Sequence, residues 1–284
     1  MIDLPDYTIR AMTLREVDMV IDWAAKEGWN PGMHDAACFH AADPEGFLVG
    51  LIRNEPVAVI SVVKYGASFG FLGLYIVRPE YRGTGLGLRI WNAGLERLEG
   101  RTVGLDGVVA QQENYTRSGF TLAWRNIRYM GTGGGVTQEH KGIKTLAELP
   151  FSTLVAYDRP FFPDDRKAFL KCWINQSEST ALGIIENNRL AGYGVIRSCR
   201  SGYKIGPLFA DRVDLAEELF CALKASIPDG SPLFLDIPEP NLEALELVKR
   251  HNMTLVFETA RMYRGKRPEM PISNIYGITT FELG

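Results

Sequence analysis

Apolar and polar positions alternate with the period of a strand at residues 7–12, Tyr-Thr-Ile-Arg-Ala-Met. The period then lengthens. Val17, Val20, Ile21 and Ala24 share one helical face, and Thr13 with Glu16 forms the capping box that opens such a helix. Residues 47–64 hold two alternating runs around an Asn-containing turn, which predicts a hairpin. A further apolar run covers 69–77, and Leu86, Ile90, Leu95 and Leu98 follow at helical core spacing. Residues 102–109 read as another strand, 111–120 as a short helix closed by Gly119, and 122–130 as a last strand.

The pattern then repeats. Shifted by 133 positions, residues 50–64 fall on 183–197, residues 73–77 on 206–210, and Arg128 on Arg261. Leu105-Asp106 meets Leu235-Asp236 at an offset of 130, which implies a small deletion. Residues 131–142 are rich in glycine and polar side chains, the composition of a linker. The chain therefore divides into a first unit, 1–131, a linker, 132–142, and a second unit, 143–284. Each is expected to be an α/β (α+β) unit.

Composition narrows the function classes. A chain of 284 residues, 46% apolar and 23% charged, suits two soluble globular domains. A formal charge of -3 is unlike that of a sequence-independent nucleic-acid binder, and no apolar run is long enough to span a membrane. The start of the chain lacks the apolar core of a signal peptide, so a cytoplasmic location is expected. Cys38, Cys172, Cys199 and Cys221 form no Cys-x-x-Cys pair, and the four histidines show no ligand spacing; no metal is expected.

Between the run at 69–77 and the next helix stands Arg82-Gly83-Thr84-Gly85-Leu86-Gly87. A glycine turn at a helix start presents unpaired backbone N–H groups toward one point, a site for an anion. Glycine supplies the backbone freedom and close approach such a site needs. A tight turn that only packs helix on strand is the competing reading. The ending lacks Gly-Lys-Ser/Thr, and the glycines alternate strictly, so neither the Walker loop nor the dinucleotide fingerprint fits.

Val77 to Gly87, with Arg82, Gly85 and Gly87 in the pattern Arg/Gln-x-x-Gly-x-Gly/Ala, closely resembles the acetyl-CoA pyrophosphate loop of the GNAT N-acetyltransferase superfamily. Residues 22–32, 105–120 and the divergent second half are similar to the tandem YitH-like type with a degenerate second GNAT-like domain. The resemblance implies acetyl-CoA as cosubstrate, its pyrophosphate on Arg82, Gly83, Thr84, Gly85, Leu86, Gly87 and Leu88. It implies the pantetheine arm beside Tyr75, Ile76 and Val77, with an oxyanion donor among those amides. Tyr115, in Tyr-x-x-x-Gly-Phe, takes the place of the family tyrosine that protonates the CoA sulfur; packing the helix on the sheet is its other reading. Where many relatives carry Asn seven residues before that tyrosine, this chain has Val108. Gln111, Gln112 and Asn114 are nearby amides that could take over its contacts with the cofactor.

Acetyl transfer needs a neutral amine, and alkylamines are mostly protonated at pH 7. Three bases stand side by side: Asp106 at a strand end, Glu27 in the connection bordering the acceptor site, and a chain of waters. The counterpart of Asp106 in the second unit, Asp236, equally suits a structural role. Trp29 and Asn30 lie in the same connection and are the candidates to wall the acceptor pocket, although a place in the core is the favoured reading for the tryptophan. The second unit has no glycine loop, and Val248 stands in the tyrosine's place, so it is expected to be catalytically silent and to close the acceptor side. The resemblance thus implies transfer from acetyl-CoA to a primary amine of a small molecule or peptide; the alternative is a non-catalytic acyl-CoA-binding sensor or structural module.

Overall fold

Thr13 and Glu16 do open the first helix as a capping box, the Thr13 N–H donating to the Glu16 carboxylate at 2.8 Å. The residues that helix buries are Val17, Val20, Ile21 and Ala24, the face its spacing picks out. Both hairpin turns are two-residue loops in the left-handed region, Arg53-Asn54 at φ 50° and 65° and Asn187-Asn188 at 48° and 60°. That geometry matches the twist of the strands it joins.

The computed structural model describes residues 7–135 and 142–284. The first half contains β1 (Tyr7–Ala11), α1 (Leu14–Lys26), α2 (Asp35–Ala42), β2 (Phe47–Ile52), β3 (Glu55–Tyr65), β4 (Phe69–Val77), α3 (Leu86–Arg97), β5 (Thr102–Val108), α4 (Gln112–Arg117) and β6 (Thr121–Thr132). The second contains β7 (Ile143–Thr145), α5 (Phe151–Asp158), α6 (Lys167–Trp173), β8 (Ser179–Glu186), β9 (Arg189–Ser198), β10 (Tyr203–Ala210), α7 (Val213–Ala225), β11 (Pro232–Pro238), α8 (Leu242–Arg250), β12 (Thr254–Arg264) and β13 (Ile275–Gly277). Of the expected linker, Thr132 belongs to β6, and 136–141 lie outside the described residues.

The two halves do not keep separate sheets. The described strands join one sheet in the order β1-β2-β3-β4-β5-β12-β6-β11-β10-β9-β8-β7, with β13 added on β10. Pairing is antiparallel except between β4 and β5 and between β10 and β11. The strands that correspond in the repeat, β6 and β12, are exchanged: β12 pairs β5, β6 pairs β11, and β12 and β6 pair each other at the centre. In register, Arg261 lies opposite Asp106 and Arg128 opposite Asp236. Arg128 grips Asp236 with Nε and Nη2 at 2.6 and 2.7 Å, and Arg261 grips Asp106 at 2.9 and 2.5 Å. Two-pronged pairs of this kind fix orientation as well as distance. The repeated Arg and Asp are thus the two reciprocal ties of the exchange.

Helices cover both faces. α3 and α4 pack on one face in the first half, burying Ile90, Trp91 and Tyr115 with Ile60 and Val62. α7 and α8 form a second cluster around Leu219, Phe220, Leu247 and Val248. Of the expected α3 core positions, Leu95 is only half-buried, and Gly94 sits in its place against Val62. The opposite face carries α1, α2, α5, α6 and the C-terminal segment in one shared core, from Val17 and Phe39 to Trp173, Phe281 and Leu283.

Candidate active site

β4 and β5 pair only from Phe69 with Thr102 to Leu72 with Leu105. There β4 bulges. Its register on β3 shifts between Val59 and Ser61, and Leu74 has φ 45°, an uncommon conformation for a side chain of that size. The bulge turns Gly73 to Val77 away from β5, so this stretch pairs with β3 alone. A cavity of about 580 Å³ opens in the gap, lined by Leu74, Tyr75, Ile76 and Val77 on one side and by Asp106, Gly107 and Val108 on the other. A backbone edge without a strand partner, facing a cavity, is suited to an extended ligand with amide groups.

At one end the cavity reaches the glycine turn, with Tyr81, Arg82, Gly83, Gly85, Gly87 and Leu88 in its wall. The three glycines serve two purposes. Gly83 and Gly85 have φ 76° and 88°, and the space around each is open. Gly85 caps α3 in the left-handed conformation, which exposes the N–H groups of the first turn. Gly87 is there for packing, because a Cβ would lie 2.4 Å from the Tyr75 hydroxyl oxygen. Thr84 donates its hydroxyl to the Tyr81 carbonyl at 2.6 Å, and Leu86 is buried, so these two brace the turn from behind. Arg82 donates to the Val77 carbonyl at 2.9 Å and to Glu27 at 2.5 Å.

Tyr115 reaches the cavity from α4 and crosses the face of β5. Gly107 allows it: a Cβ there would stand 2.1 Å from the Tyr115 ring. Trp91 stacks on the same ring at 5.6 Å. Burial pushes the Tyr115 hydroxyl up to about 12, with Tyr75 adding to the shift, so the group holds its proton through neutral pH. Asn114 is exposed and donates to Gln111 at 2.6 Å; Gln111, not Asn114, lines the cavity.

Among the described residues, three carboxylates line the space: Glu27, Asp106 and Glu282. Glu27 is paired with Arg82. Asp106 is held by Arg261 and also accepts from Asn126 at 2.7 Å, so its oxygens serve the strand exchange. Its geometry is that of an anchor rather than of a free base. Glu282 had no signal in the sequence beyond a single acid in the apolar ending Phe281-Glu282-Leu283. The C-terminal segment carries it, with Phe281, to the cavity wall, and Phe257 and Thr259 of β12 complete that side. Trp29 packs against the core and also lines the cavity, its carbonyl accepting from Arg128 at 2.8 Å. Asn30 does not. Its side chain exchanges hydrogen bonds with Ser201, and its carbonyl accepts from Lys204 at 2.8 Å, tying the two halves together.

The equivalent gap in the second half is filled by the chain itself. β10 and β11 pair from Tyr203 with Leu233 to Ile205 with Leu235 and then part. β13 adds to β10 just beyond, with Gly277 opposite Leu208 and Ile275 opposite Phe209. Leu208 and Phe209 are the repeat counterparts of Tyr75 and Ile76. With Asp211-Arg212 in place of the glycine turn, this half offers an anion no comparable nest. Among the described residues, Glu217, Cys221 and His251 could converge on a metal, but Glu217 is already shared by Arg250 and His251, and none of the three lines the cavity.

Residues 12–120 match the acetyltransferase (GNAT) family, and residues 154–277 match a second acetyltransferase (GNAT) domain profile. Holothin acyltransferase of Pseudoalteromonas sp. (strain SANK 73390) is 31% identical over 98% of this chain and 95% of its own. The uncharacterized N-acetyltransferase YitH of Bacillus subtilis (strain 168) is 24% identical over 82% of this chain and 83% of its own. The crystal structure of a putative acetyltransferase from Pyrococcus horikoshii superimposes with a TM-score of 0.83 at 24% identity, covering 100% of this chain and 98% of that one.

Proposed function

The chain belongs to the GNAT acyltransferase family, in the tandem form, and from that premise we propose that it transfers the acetyl group of acetyl-CoA to a primary amine by direct attack in a ternary complex. One observation carries the reading: a single cavity joins the glycine turn of α3, the unpaired edge of β4 and the Tyr115 ring. In this assignment the first-turn amides of α3, with Gly83 and Gly85 in left-handed conformation, hold the CoA pyrophosphate. The pantetheine arm bonds Tyr75 to Val77 as an added strand. The acyl carbonyl then lies at the bulge, where a backbone N–H can meet the developing oxyanion.

Attack forms a C–N bond, and collapse breaks the C–S bond. Tyr115 donates its proton to the departing sulfur. A phenol with its pKa near 12 is a weak acid for that purpose, but the attacking nitrogen is strongly acidic once bonded to the carbonyl carbon, and its proton refills the tyrosine. The acceptor occupies the side walled by Trp29, Phe257 and Phe281, which suits a small amine with an apolar body better than a polycation. The second unit, 143–284, closes this side of the cavity and performs no transfer of its own. The test is amine-dependent CoA release across an amine panel, with products read by mass spectrometry. Acylated product that disappears in Tyr115→Phe supports the reading. CoA binding without transfer to any amine would favour the sensor.

A further inference from the structure

Of the carboxylates that line the cavity among the described residues, the one without an arginine hydrogen-bonded to it belongs to the C-terminal segment. Glu282 is buried, and a hydroxyl from Thr280 is its side chain's partner; among the described residues no hydrogen bond occupies its other oxygen. The segment is clamped at the bulge of β4, since a Cβ on Gly73 would lie 2.2 Å from the Glu282 carbonyl oxygen. It is clamped at the matching bulge of β10 as well, where a Cβ on Gly206 would lie 2.4 Å from the Thr279 carbonyl oxygen. The tail thus crosses both halves and delivers one acid to the place where the acyl carbonyl is assigned.

We propose that Glu282 is the general base of the transfer, taking a proton from the acceptor's ammonium, and that the acceptor therefore enters as a cation. This rests on the reading of the cavity as an amine acyltransferase site. The alkylammonium gives one proton to the Glu282 carboxylate, which frees the nitrogen lone pair to attack the carbonyl carbon. The second nitrogen proton replaces the one that Tyr115 gives to the sulfur. Glu282 releases its proton to solvent, so acyl thioester and ammonium become amide, thiol and one proton.

The surroundings suit a base that must both accept and release. Burial pushes the Glu282 carboxyl above the ordinary range, with Asp35 of α2 adding to the shift. Lys204 of β10, Arg128 of β6 and Arg197 of β9 oppose it. Each of these cations has another partner: Lys204 the Asn30 carbonyl, Arg128 the Asp236 carboxylate, Arg197 the Asp35 carboxylate. The Glu282 N–H donates to the Thr280 oxygen at 3.2 Å, which orients that hydroxyl to donate to the Glu282 carboxylate.

The experiment compares full-length wild type, Glu282→Gln and Thr280→Val in amine-dependent CoA release from pH 5.5 to 9.5, with acetyl-CoA affinity measured in parallel. For an alkylamine, Glu282→Gln should lower kcat/KM about 10²- to 10³-fold at neutral pH, within the span of lost acid–base catalysis, while acetyl-CoA affinity is retained. Its kcat/KM should then climb tenfold per pH unit with the free-amine fraction, and the loss should shrink for an amine already neutral at pH 7. Thr280→Val should move the acid limb to higher pH, because the carboxylate loses a donor; this arm stands even where the glutamine variant fails to fold. An unchanged pH profile in either variant, or an equal loss at every pH and for every amine, overturns the role of Glu282. No amine-dependent release from the wild type overturns the acyltransferase assignment of the cavity as well.

Discussion

Arg261 and Asp106 are 155 residues apart in the chain and face each other across β12 and β5, joined by two hydrogen bonds of 2.9 and 2.5 Å. The pair is almost fully buried and lies at the seam where one half lends a strand to the other. Removing one partner leaves a buried charge without compensation, which typically costs about 3–5 kcal/mol. Asp106→Ala should destabilise the full chain by that order in urea unfolding, and Asp106→Leu with Arg261→Met should recover most of the loss. A single variant within about 0.5 kcal/mol of wild type, the range of ordinary surface substitutions, would remove the pair's structural role.

The glycine turn gives a prediction with its own control. Gly85 and Gly100 have φ 88° and 78°, and both face open space, but only Gly85 lines the cavity. Alanine at either site should cost about 1–2 kcal/mol from left-handed strain. Acetyl-CoA affinity, measured by calorimetry, should fall at least tenfold in Gly85→Ala and stay level in Gly100→Ala. Equal affinities in the two variants would take the pyrophosphate away from this turn.

Tyr115→Phe should lower kcat by about 10²- to 10⁴-fold with acetyl-CoA affinity unchanged, as expected for loss of an acid used only in the reaction. The wild-type hydroxyl, raised to about 12, stays protonated, so kcat should show no alkaline fall from its ionisation below pH 10. The raised value also has a stability consequence. The folded pKa lies above the unfolded value of 10, so the contribution is complete below pH 10 and is lost as pH rises from 10 through about 12. Alkaline unfolding should therefore be displaced to higher pH in Tyr115→Phe, although Tyr7, also raised to about 12, keeps part of the effect in both proteins.

β13 occupies the side of β10 that corresponds to the free edge of β4. Acetyl-CoA should accordingly bind with a stoichiometry of one per chain, and bulky substitutions at Gly277, whose Cβ would lie 2.7 Å from Leu235, should loosen the tail without creating a second site. A stoichiometry of two would show that the second half retains a working cleft.

Much of the site can be read along the chain because its parts are local. Gly83 and Gly85 announce a left-handed turn within three residues, Tyr115 and Gly119 mark one short helix, and the Thr13–Glu16 cap spans a single turn. The repeat also displayed Arg128 with Arg261 and Asp106 with Asp236, the four residues of the exchange, without saying which arginine meets which aspartate. A pairing within each half would satisfy the same pattern, because the two edges are near copies and strand alternation is identical for both. The place of Asn30 is hidden in the sequence for a similar reason: its partners, Ser201 and Lys204, lie in the other half.

Local periodicity and backbone chemistry determined by themselves the first-half elements other than α2, the internal repeat and the glycine turn, since each is written in short stretches of the chain. The exchange of β6 and β12, the plugging of the second cleft by β13 and the arrival of Glu282 beside the bulge were decided by the tertiary structure alone. They depend on which of several compatible edges and faces gains the better burial and ion pairing, and that competition is between segments more than a hundred residues apart.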